Sequence, residues 1–177
     1  GKTALLEMLV GALDRVGIRS AVIKHDGHEF EADVPGTDSR RIKEAGAYGT
    51  VVYSGTKFSM TKEQPSMKAE DFFGFFPEAD IIFLEGQKDS DYPKLEVLRR
   101  EVSDVPVCRP ETVLAYIWSG EIAWSGENTW SGEECPGRGN RRNGKCPVLT
   151  AAQKDCILEI VIEHMDRYCR GDGGDEL

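Results

Sequence analysis

The residues best suited to chemistry fall in three short clusters, around positions 1–3, 24–40 and 85–88. Gly1-Lys2-Thr3 stands directly before an apolar, periodic stretch. That is the place of the second half of a phosphate-binding loop, G-x-x-x-x-G-K-[ST]. A helix starting there offers unpaired N–H groups and its positive dipole end to an anion. Lys2 would neutralise outer phosphates, and the Thr3 hydroxyl would ligate Mg²⁺. The same triplet also makes an ordinary helix start with Thr3 as its cap. The strand and first glycine of a complete loop would precede Gly1, so the chain reads as one trimmed at its start.

The second cluster is Lys24-His25-Asp26-Gly27-His28, then Asp33 and Pro35-Gly36-Thr37-Asp38-Ser39-Arg40. It follows a predicted strand, and open α/β sheets place ligands at the carboxyl ends of strands. Asp33 and Asp38 are hard oxygen donors for Mg²⁺, directly or through water. Either could also serve as a base toward a bound hydroxyl or amine. The plainer alternatives are a solvated Asp33 and a helix-capping Asp38. Lys24 and Arg40 can pair with phosphate, Arg40 through a bidentate fork. His25 and His28 match no standard zinc spacing and have no nearby cysteine, so anion contacts or hydrogen bonds that order the loop are the better reading.

The third cluster, Glu85-Gly86-Gln87-Lys88, closes the apolar run Asp80-Ile81-Ile82-Phe83-Leu84. An acid just after a buried strand is where phosphate-loop NTPases carry a Mg²⁺-associated carboxylate. Glu85 is therefore a candidate to hold the ion's water or the attacking water, against the alternative of a strand-end acid turned to solvent. Gly86 permits close backbone approach. Lys88, Lys94, Arg99 and Arg100 add positive charge for a phosphate, although a solvated strand edge accounts equally well for the last two.

The elements that must carry these clusters alternate. Apolar residues at three- and four-residue spacing predict a helix over 3–16, with Gly17 to end it. A strand is predicted over 19–24, a loop over 25–37, and a helix capped by Asp38 running to about 45. Residues 50–53 and 57–60 form a hairpin candidate around Ser54-Gly55. A short aromatic helix is predicted over 69–76. The run at 80–84 has the continuous apolarity of a central parallel strand buried on both faces. Further strands are predicted at 95–98, 113–118 and 148–149, and a last helix over 151–168, with Cys156, Ile160, His164 and Tyr168 on one row. This alternation predicts an α/β fold with a mostly parallel sheet, as one domain over 1–170. Residues 118–146 interrupt it with Trp-Ser-Gly-Glu at 118, 124 and 130, a six-residue period too short for a solenoid. The segment reads as a surface insertion or, with three exposed Trp, as a partner-docking loop. The tail 171–177 is polar, Gly-rich and expected to fray.

The balance of 22 Lys+Arg against 31 Asp+Glu gives a net charge of −9, which disfavours a general nucleic-acid binder but not a small phosphate ligand in a local pocket. No stretch reaches the length of a membrane span. Five cysteines with no CxxC pair point away from a disulfide framework and toward a reducing cytoplasm. Three functions remain open on the residues alone: a protein that binds and hands over a nucleotide, an ATP-dependent small-molecule kinase or ligase, and a non-enzymatic scaffold.

Taken together, the clusters resemble the molybdopterin-guanine dinucleotide biosynthesis protein B family. The resemblance rests on Gly1-Lys2-Thr3, on Lys24-His25-Asp26-Gly27-His28-x-Phe30-x-x-Asp33-x-Pro35-Gly36-x-Asp38-Ser39-x-Arg41, and on Ala45-Gly46-Ala47, Glu85-Gly86-x-Lys88 and Pro93-Lys94-x-Glu96-x-x-Arg99. It covers about 1–118 and 147–169; the 118–146 segment departs from it, and no N-K-x-D guanine-reading motif occurs. The resemblance implies a phosphate-loop (P-loop NTPase-type) three-layer fold that binds GTP with Mg²⁺. It implies at most slow GTP hydrolysis and a homodimer. The implied role is as an adapter beside the molybdenum cofactor guanylyltransferase, in converting molybdopterin to its guanine dinucleotide. It gives phosphate or Mg²⁺ roles to Gly1, Lys2 and Thr3, and catalytic or metal roles to Asp38 and Glu85. Lys24, His25, Asp33, Arg40, Gly86 and Lys88 complete the expected nucleotide site.

Overall fold

A computed structural model describes residues 1–28, 30, 33–99, 105–119 and 146–169. Nearly all of the Trp-Ser-Gly-Glu segment and the whole 171–177 tail lie outside the described residues. The elements run α1 (Lys2–Arg15), β1 (Ser20–Lys24), α2 (Asp38–Glu44), β2 (Gly49–Tyr53), β3 (Phe58–Lys62), a 3₁₀ helix (Ala69–Phe75), β4 (Ile81–Glu85), β5 (Lys94–Leu98), β6 (Val113–Trp118), β7 (Val148–Thr150) and α3 (Lys154–Cys169).

Helix α1 forms because Leu5, Leu9 and Leu13 recur on one face, and Leu9 and Leu13 are fully buried. Gly17 ends it at φ +79, a conformation that costs glycine little. The Ile18 N–H then returns to the Leu13 carbonyl at 3.0 Å. The chain doubles back into β1, which pairs in parallel with β4 from Ser20↔Ile81 to Lys24↔Glu85. At the other end of this pair Asp80 donates its N–H to the Arg19 carbonyl at 2.8 Å, and its carboxylate accepts the Arg19 N–H at 2.7 Å. Strand β6 pairs in parallel with β5 on one side and β7 on the other. Its Val113, Ala115 and Ile117 are fully buried. Together with Leu9 of α1, Leu149 of β7, and Ile157, Ile160 and Val161 of α3 they form the core, against which Ile81 and Phe83 of β4 also pack.

The α/β fold with mostly parallel pairing is as predicted. Two details differ. The parallel strands form two hydrogen-bonded groups, β1–β4 and β5–β6–β7, among the described residues. Strand β4, expected to be buried on both faces, is accordingly only half-buried along its length, because β1 is its sole described partner. The last helix also starts later than predicted, since Gln153 caps the turn after β7 by accepting the Thr150 N–H at 2.8 Å.

The predicted hairpin is present as the antiparallel ribbon β2–β3. It leaves Val51, Val52, Tyr53, Phe58 and Met60 exposed. Its ties to the rest of the molecule include α2, which packs on β2, and the Phe58–Phe75 ring contact at 6.5 Å. Among the described residues Cys108, Cys146 and Cys169 carry free thiols. Among the described residues no helix is long and apolar enough to cross a membrane.

His164 sits half-buried on α3 beside Tyr168, with ring centroids 5.4 Å apart. Burial, and secondarily the Arg167 guanidinium, hold its pKa below the ordinary 6.5. A lowered folded-state value means that the unfolded chain binds the proton more readily. The stability His164 contributes is therefore complete above the ordinary value and is lost as the pH falls through the lowered one. Thermal melts between about pH 7.5 and 5 should show a downward slope that His164→Gln flattens; an unchanged slope would remove His164 as its source.

Candidate functional site

The three chemical clusters meet through topology. A five-residue strand is about 16 Å long and a 14-residue helix about 21 Å. Since α1 is joined to β1 by the tight turn at Gly17 and packs against it, it runs back along the strand. Its first residues, Gly1-Lys2-Thr3, thus lie toward the carboxyl end of β1, where Lys24 and His25 leave the sheet. The parallel register Lys24↔Glu85 brings Glu85 and Gly86 to that same end.

The junction of the second and third clusters is tight. The His25 N–H donates to the Glu85 carbonyl at 2.8 Å. Gly86 turns away at φ +93, and a Cβ placed on it would lie 2.6 Å from the His25 carbonyl oxygen. Glycine is required there twice over, for its backbone angle and for the approach of the neighbouring chain. Glu85 is half-buried, whereas Lys24, His25 and Lys88 are exposed.

At α1 the cap residue is Gly1 and no side chain caps the helix, so Thr3 does not serve as the cap. Gly1, Lys2 and Thr3 are all exposed, and nothing crowds Gly1. The first N–H groups of a helix have no intrahelical acceptor, so this end is suited to an anion.

The 33–40 segment folds locally. Thr37, rather than Asp38, is the N-cap residue of α2, and its hydroxyl donates to the Val34 carbonyl at 2.9 Å. Asp38 is the first helical residue, 91% exposed and 3.4 Å from Arg41. Arg40 turns along the helix to Glu44 at 2.8 Å, an i,i+4 ion pair. Asp33 accepts a hydrogen bond from the Ser39 hydroxyl at 3.3 Å through Oδ1, while its Oδ2 is buried without a hydrogen-bond partner. Among the described residues no three His, Cys, Asp or Glu side chains converge as a ready metal site. Mg²⁺ commonly takes only one or two carboxylates and completes its shell with water and phosphate. The buried, unpartnered Oδ2 of Asp33 is an oxygen donor of that kind.

Sequence reasoning misjudged the residues that follow. Lys94, read as a cation for phosphate, points its ammonium into the preceding loop, at the Ser90 and Tyr92 carbonyls. Burial lowers its pKa. Glu96 was given no role, yet it is 6% exposed and accepts the Val107 N–H at 2.6 Å and the Cys108 N–H at 3.2 Å. Burial, then the Glu96 charge, raises the Cys108 thiol pKa. Glu96 had a signal in the sequence: in a strand of period two it shares its face with Leu98.

The profile for molybdopterin guanine dinucleotide synthesis protein B, MobB, matches residues 1–119. The chain is 35% identical over 104 residues to the molybdopterin-guanine dinucleotide biosynthesis adapter protein of Escherichia coli (strain K12), covering 56% of this chain and 59% of that protein. The protein of the same name from Haemophilus influenzae is 33% identical over 106 residues, covering 58% and 60%. The chain thus spans about three fifths of the length of these relatives. The crystal structure of Bacillus subtilis MobB superposes with a TM-score of 0.64 at 21% identity, covering 92% of this chain and 90% of that one, and bears on the fold alone. With the profile running over residues 1–119 and so through all three clusters, the chain belongs to the MobB family.

Proposed function

We propose that the chain binds GTP with Mg²⁺ at the end of the sheet where α1 begins. We propose further that it serves molybdenum cofactor biosynthesis as an adapter in forming molybdopterin guanine dinucleotide. The observation that carries this reading is the register Lys24↔Glu85, which sets two of the clusters side by side at the end of the sheet to which α1 returns with the third. Lys2 and the first amides of α1 hold the phosphates; Lys24, His25 and Lys88 supply further polar and cationic groups. Thr3, Asp38 and Glu85 are the Mg²⁺ donors, with Asp33 beside them. Arg40 joins them only by leaving Glu44. The bound nucleotide supplies the guanine group, and the ion screens phosphate charge. Hydrolysis is at most slow, because no activating Arg or water-orienting Gln is evident among the described residues. Molybdopterin or its guanine dinucleotide and the guanylyltransferase are the proposed partners.

The homodimer belongs to the same proposal and is supported by the exposed apolar ribbon β2–β3. A cytoplasmic setting belongs to the same proposal and is supported by the lack of paired cysteine spacing.

Equilibrium binding of GTP and ATP with Mg²⁺ to the full-length protein tests the nucleotide site. GTP should be preferred, and Lys2→Ala should weaken it by roughly tenfold to a hundredfold, the value of a charge-assisted contact. An ATP preference would favour a small-molecule kinase or ligase, and no binding of either would leave a scaffold.

A further inference from the structure

The 87–93 loop begins immediately after Glu85-Gly86 and is fastened from several directions. Within it, the Ser90 hydroxyl and N–H both donate to the Gln87 carbonyl, at 2.9 and 3.3 Å. From below, the Lys94 ammonium donates to the Ser90 and Tyr92 carbonyls, the latter at 2.8 Å. From the connection ahead of β6, the Arg109 guanidinium pairs with the Asp91 carboxylate and reaches the Asp89 carbonyl at 3.3 Å. From the 3₁₀ helix, Glu70 accepts the Tyr92 hydroxyl at 2.8 Å, and Phe73 meets the Tyr92 ring edge-on at 6.2 Å.

The inner tie differs from the others. Asp91 and Tyr92 are exposed, so water can replace what Arg109 and Glu70 supply. Lys94 is half-buried, and it gathers two carbonyls of one short loop. Three ammonium donors on one long stem can satisfy several carbonyls at once, which no apolar side chain of that length can do. A partly desolvated ammonium is in turn tolerated because those carbonyls pair with it.

We propose that Lys94 is a positioning residue: by holding the Ser90 and Tyr92 carbonyls it sets the 87–93 loop, and with it Gln87 and Lys88, against the end of β4 where the nucleotide binds. This rests on the nucleotide-binding reading above. In this role Lys94 never touches phosphate; Lys88, exposed one turn earlier, does so in its place.

Lys94→Met keeps the stem and removes the donors. In the full-length protein, amide hydrogen exchange over 87–93 should accelerate while that of buried β6 stays as in the parent, and Mg²⁺–GTP binding should weaken by about tenfold. Arg109→Met, which removes an exposed tie to the same loop, guards against a misfolded Lys94 variant. It should loosen the loop and weaken binding in the same direction by less. Unchanged exchange at 87–93 in Lys94→Met overturns the clamp. A loosened loop with undiminished GTP affinity overturns its bearing on the site. Failure of the parent protein to bind nucleotide overturns the functional reading itself, and the positioning role with it.

Discussion

Gly86→Ala should destabilise the protein by about 2–4 kcal/mol, a large share of a domain's stability. The added methyl group meets two costs at once. A side chain at φ +93 is strained whatever surrounds it, and the Cβ would lie 2.6 Å from the His25 carbonyl oxygen. That oxygen belongs to backbone, and the His25 segment is itself held by its N–H bond to the Glu85 carbonyl. Relief therefore requires the β1 and β4 ends to separate, which also parts the second and third clusters. Urea denaturation measures the first effect and GTP binding the second. A loss below about 0.5 kcal/mol, the range of an ordinary surface change, would show that the junction is looser than its geometry.

Ile117→Ala should cost about 2–5 kcal/mol. Ile117 has no exposed surface and sits in the middle strand of β5–β6–β7, so neighbours on both sides prevent the cavity from closing. Val51→Ala on the ribbon provides the comparison. Val51 is 57% exposed, and its loss from a free surface should stay within about 0.5 kcal/mol. A larger, concentration-dependent loss at Val51 would mean that a second copy covers the ribbon. A small effect at Ile117 would instead contradict the placement of the core.

The elements were legible where one physical signal dominated. The leucine spacing of α1, the Ser54-Gly55 turn and the apolar run of β6 each appear within a residue or two of their predicted bounds. Strand β4 was misjudged because continuous apolarity records composition, while burial depends on which strands pair beside it. At the site, the sequence named the clusters and their shared end but not the side-chain directions. Arg40 looked like a phosphate ligand, yet Glu44 lies one helical turn away and claims it. Lys94 looked like another, but the carbonyls of the turn before it were closer at hand. In both cases the nearest neighbours of the cation, and not only a distant anion, set where its side chain lies.

The reciprocal bonds between Arg19 and Asp80 close the amino ends of β1 and β4, five residues and about 16 Å from Lys24 and Glu85. In a parallel pair a slip of one residue would turn every side chain of one strand to the opposite side. The alignment that brings Lys24 level with Glu85 is thus indexed at the far end of the strands, by a carboxylate remote from any ligand. Asp80 works as the zero mark of a ruler whose reading is taken where Lys24 meets Glu85.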